Sequence, residues 1–107
     1  MSNLDLYMNL HDSYEHKVLV INSYFANEIA YADSDSRKES LIVSSRNFYK
    51  AIGDFTTKLN SEDNIDKKLL IAKERDTYLN NIIGNYSIDI IDEEKNKSQN
   101  NRWFYWI

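Results

Sequence analysis

His11, Asp12, Glu15 and His16 form the one cluster in this chain whose residue types suggest a metal or acid–base site. On a helix His11 and Glu15 share a face, as do Asp12 and His16, but the two histidines are five apart and point about 140° away from each other. One helix cannot present both to a single ion, and H-D-S-Y-E-H misses the histidine spacing of the zinc proteases by a residue. The cluster therefore reads as solvated side chains beside a core stripe. Other chemistry is thinner still. There is no cysteine, so no thiolate site or disulfide; the two glycines, Gly53 and Gly84, are isolated, so no phosphate loop is present. No serine has a histidine and an acid at a recognisable local spacing. We expect a protein that is not an enzyme and carries neither metal nor cofactor.

Charge narrows the partners. The chain carries a formal −4, distributed in alternating blocks: residues 1–35 hold six acids against Lys17, residues 36–61 five bases against Glu39 and Asp54, residues 62–94 nine acids against four bases, and the tail Lys95, Lys97 and Arg102. The basic block has Arg46 and Lys50 as its only clear four-spaced pair and acidic segments on either side, so direct nucleic-acid binding is not expected. No stretch approaches the roughly 18 apolar residues of a membrane span, and Met1 to Leu10 has no basic cluster leading into an apolar run. These features predict a soluble, cytoplasmic protein without membrane contact.

The elements that carry these residues follow from periodicity. With no proline and two glycines, the chain lacks the turn residues that sheets consume, which predicts an all-α fold. Tyr7, Leu10, Tyr14, Val18, Ile21, Phe25 and Ile29 recur at steps of three and four across Leu4 to Tyr31, the signature of one long amphipathic helix of roughly 40 Å. Lys17 to Phe25 is rich in β-branched residues and reads as either a strand or a helix. The in-phase stripe on both sides favours helix. Leu19, Val20 and Tyr24 widen the apolar arc there. Ser2 or Asn3 is the expected N-cap, with Asp5 in the first turn.

A second helix is expected from a capping box at Ser36 and Glu39, with the stripe Leu41, Phe48, Ile52, Phe55 and Leu59 flanked by Ile42 and Tyr49. Gly53 marks a kink, a close helix crossing, or a tolerated penalty. A third helix is expected after a Ser61 cap, its face carrying Ile65, Leu69, Ala72, Leu79 and Ile83, flanked by Leu70, Tyr78 and Ile82, with Asp76 on or near the stripe. Gly84 is the expected left-handed residue that ends it. Tyr86, Ile88 and Ile90 alternate like a strand, while Ser87, Asp89 and Asp92 suit a short fourth helix. The expected fold is a three-helix antiparallel bundle over residues 1–94, with a short C-terminal fourth element. A polar linker from residue 95 follows, ending in an aromatic segment.

Without catalytic machinery, the expected role is occupation of another protein, as an inhibitor or adaptor of the immunity-protein, antitoxin or phage-inhibitor kind. The residues expected to meet a basic or apolar patch on that partner are Trp103, Phe104, Tyr105 and Trp106, with the acids Glu62, Asp63, Asp66, Asp89, Asp92, Glu93 and Glu94. The tail residues could equally fold back on the bundle, and the acids could be solvated helix ends. Two alternatives stand beside this reading. One is a structural homo-oligomer; the other is a binder of a small, nucleotide-like ligand, with Arg46 or Arg75 and a few of the eight tyrosines lining a cleft between helices.

Overall fold

A computed structural model describes residues 2–89 of the chain. They form three α-helices, α1 (Asn3–Ala30), α2 (Asp35–Asn60) and α3 (Ile65–Asn85), with no strand among the described residues. Lys17 to Phe25 is helical throughout, because the stripe on either side keeps those residues in register with a single buried face. The proposed fourth element and the aromatic segment lie mostly outside the described residues.

Three contacts at successive heights fix the topology. The Asn3 side-chain amide donates to the Asp66 carboxylate, Lys17 Nζ lies 2.7 Å from Asp76 Oδ1, and the Tyr24 and Tyr86 ring centroids are 5.4 Å apart. The order is the same along both helices, so α1 and α3 run parallel. α2 runs antiparallel to both, and Arg37 in its first turns donates back across the connection to Glu28 at 2.9 Å. The alternating charge blocks account for that last contact only in part of the molecule. α1 and α3, both acidic, pack on each other more extensively than either packs on α2, and Lys17, the lone base of the first block, bridges them.

The core is concentrated where α1 ends and α2 begins. Ile21, Phe25, Leu41, Phe48 and Leu79 form its buried centre, with Tyr24, Tyr78 and Tyr86 packed around it. The Tyr86 ring meets Phe25 edge-on at 5.3 Å, and Tyr78 stacks on Phe48 at 6.3 Å; such aromatic pairs add about 0.5–1.5 kcal/mol beyond the area they bury. Leu19 and Leu70, both expected against the core, are instead 50% and 61% exposed. Of the residues that widen the arc of α1, Val20 is buried and Tyr24 packs on the core, with its ring against Tyr86.

Helix ends differ from expectation in instructive ways. Ser2 caps α1 in a reciprocal capping box with Asp5. α2 starts earlier than Ser36: Ser34 accepts from the Arg37 amide at 3.1 Å, which places Asp35 in the dipole-favoured first turn and makes the Ser36 and Glu39 pair interior. α3 starts later than Ser61, which instead closes α2. Asn64 is the N-cap, accepting from the Asp66 and Lys67 amides at 2.9 and 3.2 Å. At the far end Gly84 is not the left-handed residue. That conformation belongs to Ser87 (φ 53°), and Ile88 N–H donates to Ile83 O at 2.9 Å while Ser87 N–H donates to Gly84 O at 3.2 Å. This is a Schellman motif with serine at its left-handed position, and Ile83 and Ile88, which it joins, both pack on the core.

Gly53 is not the site of a close crossing, since a Cβ there would meet nothing within 4 Å, and the same is true of Gly84. Each is a plain helix penalty. Gly53→Ala and Gly84→Ala should each stabilise the fold by about 0.5–1 kcal/mol, and Ser87→Gly by about 1 kcal/mol through relief of the left-handed cost. Urea denaturation of the three variants checks this. A destabilised Gly84→Ala would return the left-handed role to Gly84.

Candidate functional site

The α3 stripe contains one residue that should not be there. Arg75 lies three positions after Ala72 and four before Leu79, so its side chain projects from the same buried face, and it is only 3% exposed. The stripe position assigned to Asp76 belongs to Arg75. Asp76 sits to the side, where it holds Lys17 at 2.7 Å and accepts from the Asn80 amide at 3.3 Å. Of the two carboxylates adjacent to Arg75 in sequence, Asp76 is thus spent on other groups and Glu74 is exposed.

Arg75 is held by an aromatic face. Its Cζ lies 3.7 Å from the centroid of the Tyr14 ring, close enough for a desolvated cation–π contact of about 2 kcal/mol. Among the described residues, however, its Nε and Nη2 have no hydrogen-bond partner, and both are shielded from solvent. A buried donor left without an acceptor costs about 1–3 kcal/mol, and more when charged, so the stack does not offset the desolvation. Burial pushes the Arg75 pKa down, against the opposing influence of Tyr14, Tyr7 and Asp76. A guanidinium nevertheless stays charged at neutral pH.

Beside this cation is a cleft of about 140 Å³ formed where the three helices meet. Tyr7, His11 and Tyr14 line it from α1, Thr56, Leu59 and Asn60 from α2, and Arg75 from α3. Each helix places its residues by periodicity: Tyr7, His11 and Tyr14 follow steps of four and three, and Thr56, Leu59 and Asn60 form one turn near the end of α2. The polar groups differ in what they can offer. Thr56 Oγ1 donates to Ile52 O at 2.9 Å, which commits its proton. His11 Nε2 lies 3.0 Å from Glu15 Oε1, so a carboxylate stands at the rim.

The four polar residues His11, Asp12, Glu15 and His16 are divided by this geometry. His11 faces the cleft with Glu15 beside it, while Asp12 is exposed elsewhere on the helix. Among the described residues no group of three histidine, aspartate or glutamate side chains is placed to hold a metal ion, and no helix is long and apolar enough to cross a membrane. Of the acids assigned to a partner, Glu62, Asp63 and Asp66 cluster at the start of α3. There Glu62 accepts from the Asn64 amide at 3.1 Å, and Asp66 accepts from Asn3. Asp89 lies beyond the opposite end of that helix, roughly 30 Å away at 1.5 Å per residue. Asp92, Glu93, Glu94, Trp103, Phe104, Tyr105 and Trp106 lie outside the described residues. Arg46, the other arginine considered for a cleft, is exposed on α2.

The sequence pattern singled out Arg75 and set Tyr7 and Tyr14 on one stripe of α1. It missed Thr56, Leu59 and Asn60. The signal for the burial of Arg75 was the gap in the α3 stripe between Ala72 and Leu79, where a residue of the wrong polarity sits in phase with the core. No protein-family model matches the chain, and comparison with curated proteins and with solved structures finds no significant match.

The energetics give a test. Replacing a buried, unpaired charge by an apolar side chain of similar shape is neutral or stabilising. Arg75→Met should leave the urea midpoint unchanged or raise it, whereas Tyr14→Leu, which strands the cation, should lower stability by about 2 kcal/mol. A large loss in Arg75→Met would mean that Arg75 is satisfied within the fold.

Proposed function

We propose that this protein is a small helical binding module that holds an anionic ligand in the cleft beside Arg75. The observation that carries this reading is the buried side chain of Arg75, which lines the cleft and has two nitrogens without a hydrogen-bond partner among the described residues. Natural chains keep a destabilising buried charge where function uses it, and a concave site lined by aromatic side chains with a few polar groups is the common form of a ligand pocket. The reading takes up the small-ligand alternative with Arg75, of the two arginines considered, as its cation. Binding, rather than turnover, is the role for which the cleft offers groups: one obligate cation, a histidine paired to an acid, and a hydroxyl whose proton is committed. A cytoplasmic setting is part of the proposal, in keeping with a cysteine-free chain.

A second reading is favoured by a separate observation. Leu4 and Met8, one turn apart on α1, are 57% and 50% exposed, an apolar pair where another protein could settle. The inhibitor or adaptor role draws on that pair, on Glu62, Asp63 and Asp66 at the same end of the bundle, and on the aromatic residues 103–106. Self-association through the same apolar pair would serve the homo-oligomer alternative.

The anion reading is tested by thermal unfolding of the full chain at constant ionic strength in chloride, nitrate, phosphate, acetate, benzoate and adenosine monophosphate. A ligand present at 100 times its dissociation constant adds about 2.7 kcal/mol, which for a chain of this size raises Tm by about 10 °C. At least one anion should give such a rise in the natural chain and none in Arg75→Met. Equal behaviour of the two proteins in every salt would contradict the proposal.

A further inference from the structure

The outer face of α1 is uncovered by the other described residues, and its composition says what fits it. Leu4, Met8 and Leu19 are 57%, 50% and 50% exposed. Leu4 and Met8 are one turn apart, and Leu19 follows Met8 by three turns, so all three lie along one side of the helix. Between Met8 and Leu19 the same side carries Asp12 and Glu15, and Asp5 stands next to Leu4; these acids are exposed. The only lysine or arginine of α1 is Lys17, which is held at Asp76. This face is therefore apolar and acidic, with no free base of its own.

The other exposed apolar side chains lie in different fields. On α2, Val43 has Arg46 and Glu39 a turn away on either side, and Tyr49 adjoins Arg46 and Lys50. Leu70 on α3 has Lys67 and Lys73 balanced by Asp66 and Glu74, and Tyr31 stands singly in the connection after α1. A basic, apolar segment is drawn to α1 in preference to any of these.

The chain contains one such segment, outside the described residues. Lys95, Lys97 and Arg102 precede Trp103, Phe104, Tyr105, Trp106 and Ile107, with no acid after Glu94. Its reach is sufficient. The described residues end at Asp89, shortly past Tyr86, whose ring packs on Phe25 at 5.3 Å. From the height of Phe25, Leu19 is about 9 Å along α1 and Met8 about 26 Å, at 1.5 Å per residue. Residues 90–102 span up to about 43 Å when extended. Five extended residues cover roughly 16 Å, which is also the separation of Met8 and Leu19 along the helix.

From the field, the reach and this match of lengths we infer that residues 103–107 dock on the outer face of α1 in the same molecule. Their aromatic side chains lie over Met8 and Leu19, and Lys95, Lys97 and Arg102 face Asp5, Asp12 and Glu15. A protein partner that uses either surface must first part the two, so the free chain masks the contacts an inhibitor or adaptor would make. This docking needs no ligand beside Arg75.

Trp103 and Trp106 are the only tryptophans of the chain, so tryptophan emission reports on this segment alone. Emission and acrylamide quenching are measured for the full chain, for Met8→Glu combined with Leu19→Glu, for the charge reversal Asp12→Lys combined with Glu15→Lys, and for Val43→Glu as a control on α2. All the replaced side chains are exposed, and circular dichroism checks that each variant is folded. The natural chain should show blue-shifted emission, protected from the quencher and unchanged on dilution. Both α1 variants should shift the emission to that of tryptophan in water and lose the protection, while Val43→Glu keeps both. Water-like emission in the natural chain would overturn the proposal, as would protection that survives in either folded α1 variant or is lost equally in Val43→Glu. Protection that disappears on dilution would overturn it as well, by placing the segment on a second copy.

Discussion

Taking a guanidinium out of water is the constraint that shapes the lower half of this bundle. Arg75 is 3% exposed on a helix face that otherwise carries Leu69, Ala72 and Leu79, and the fold answers its charge with the face of Tyr14 rather than with a carboxylate. Asp76, which could have served, is drawn to Lys17, and that pair ties α1 to α3 at the height of the cleft. The three helices do not close completely beside Arg75. The cleft is what remains between Tyr7, Leu59 and Arg75.

The other half of the molecule makes this tolerable. Around Phe25, Phe48 and Leu79 the aromatic rings of Tyr24, Tyr78 and Tyr86 surround a fully apolar centre, and the Schellman turn at Ser87 brings Ile88 back onto it. One end of the bundle thus supplies stability, and the other carries a polar arrangement that costs some. A ligand that accepted hydrogen bonds from Arg75 would remove part of that cost, so occupancy and stability are linked.

The helices were legible because their stripes are long, and a few residues of ambiguous propensity, such as Val18 to Ile21, cannot break a pattern that continues on both sides. Their ends were less so, because the connections hold several residues able to cap. In A-D-S-D-S both serines are competent, and with Ser34 as the cap Arg37 reaches Glu28 on another helix, a contact that local spacing does not show. Gly84 was the natural candidate for a left-handed residue, yet the turn falls at Ser87, since Ile88 must reach the core. As for the site, Arg75 and the pair Tyr7 and Tyr14 were visible within their own helices. Thr56, Leu59 and Asn60 join them only because α2 runs antiparallel and brings its last turns beside the first turns of α1. Such juxtaposition across helices leaves no trace in sequence spacing.

The most direct measurement of the central claim is the side-chain ¹H–¹⁵N spectrum of Arg75, assigned by its loss in Arg75→Met. A guanidinium stacked on Tyr14 and closed off from water should give an Nε–H signal displaced upfield by the ring current, slow to exchange with solvent, and moved downfield when an anion that raises Tm is added. An Nε–H signal at the position of an exposed arginine, exchanging rapidly and indifferent to every anion, would contradict the account.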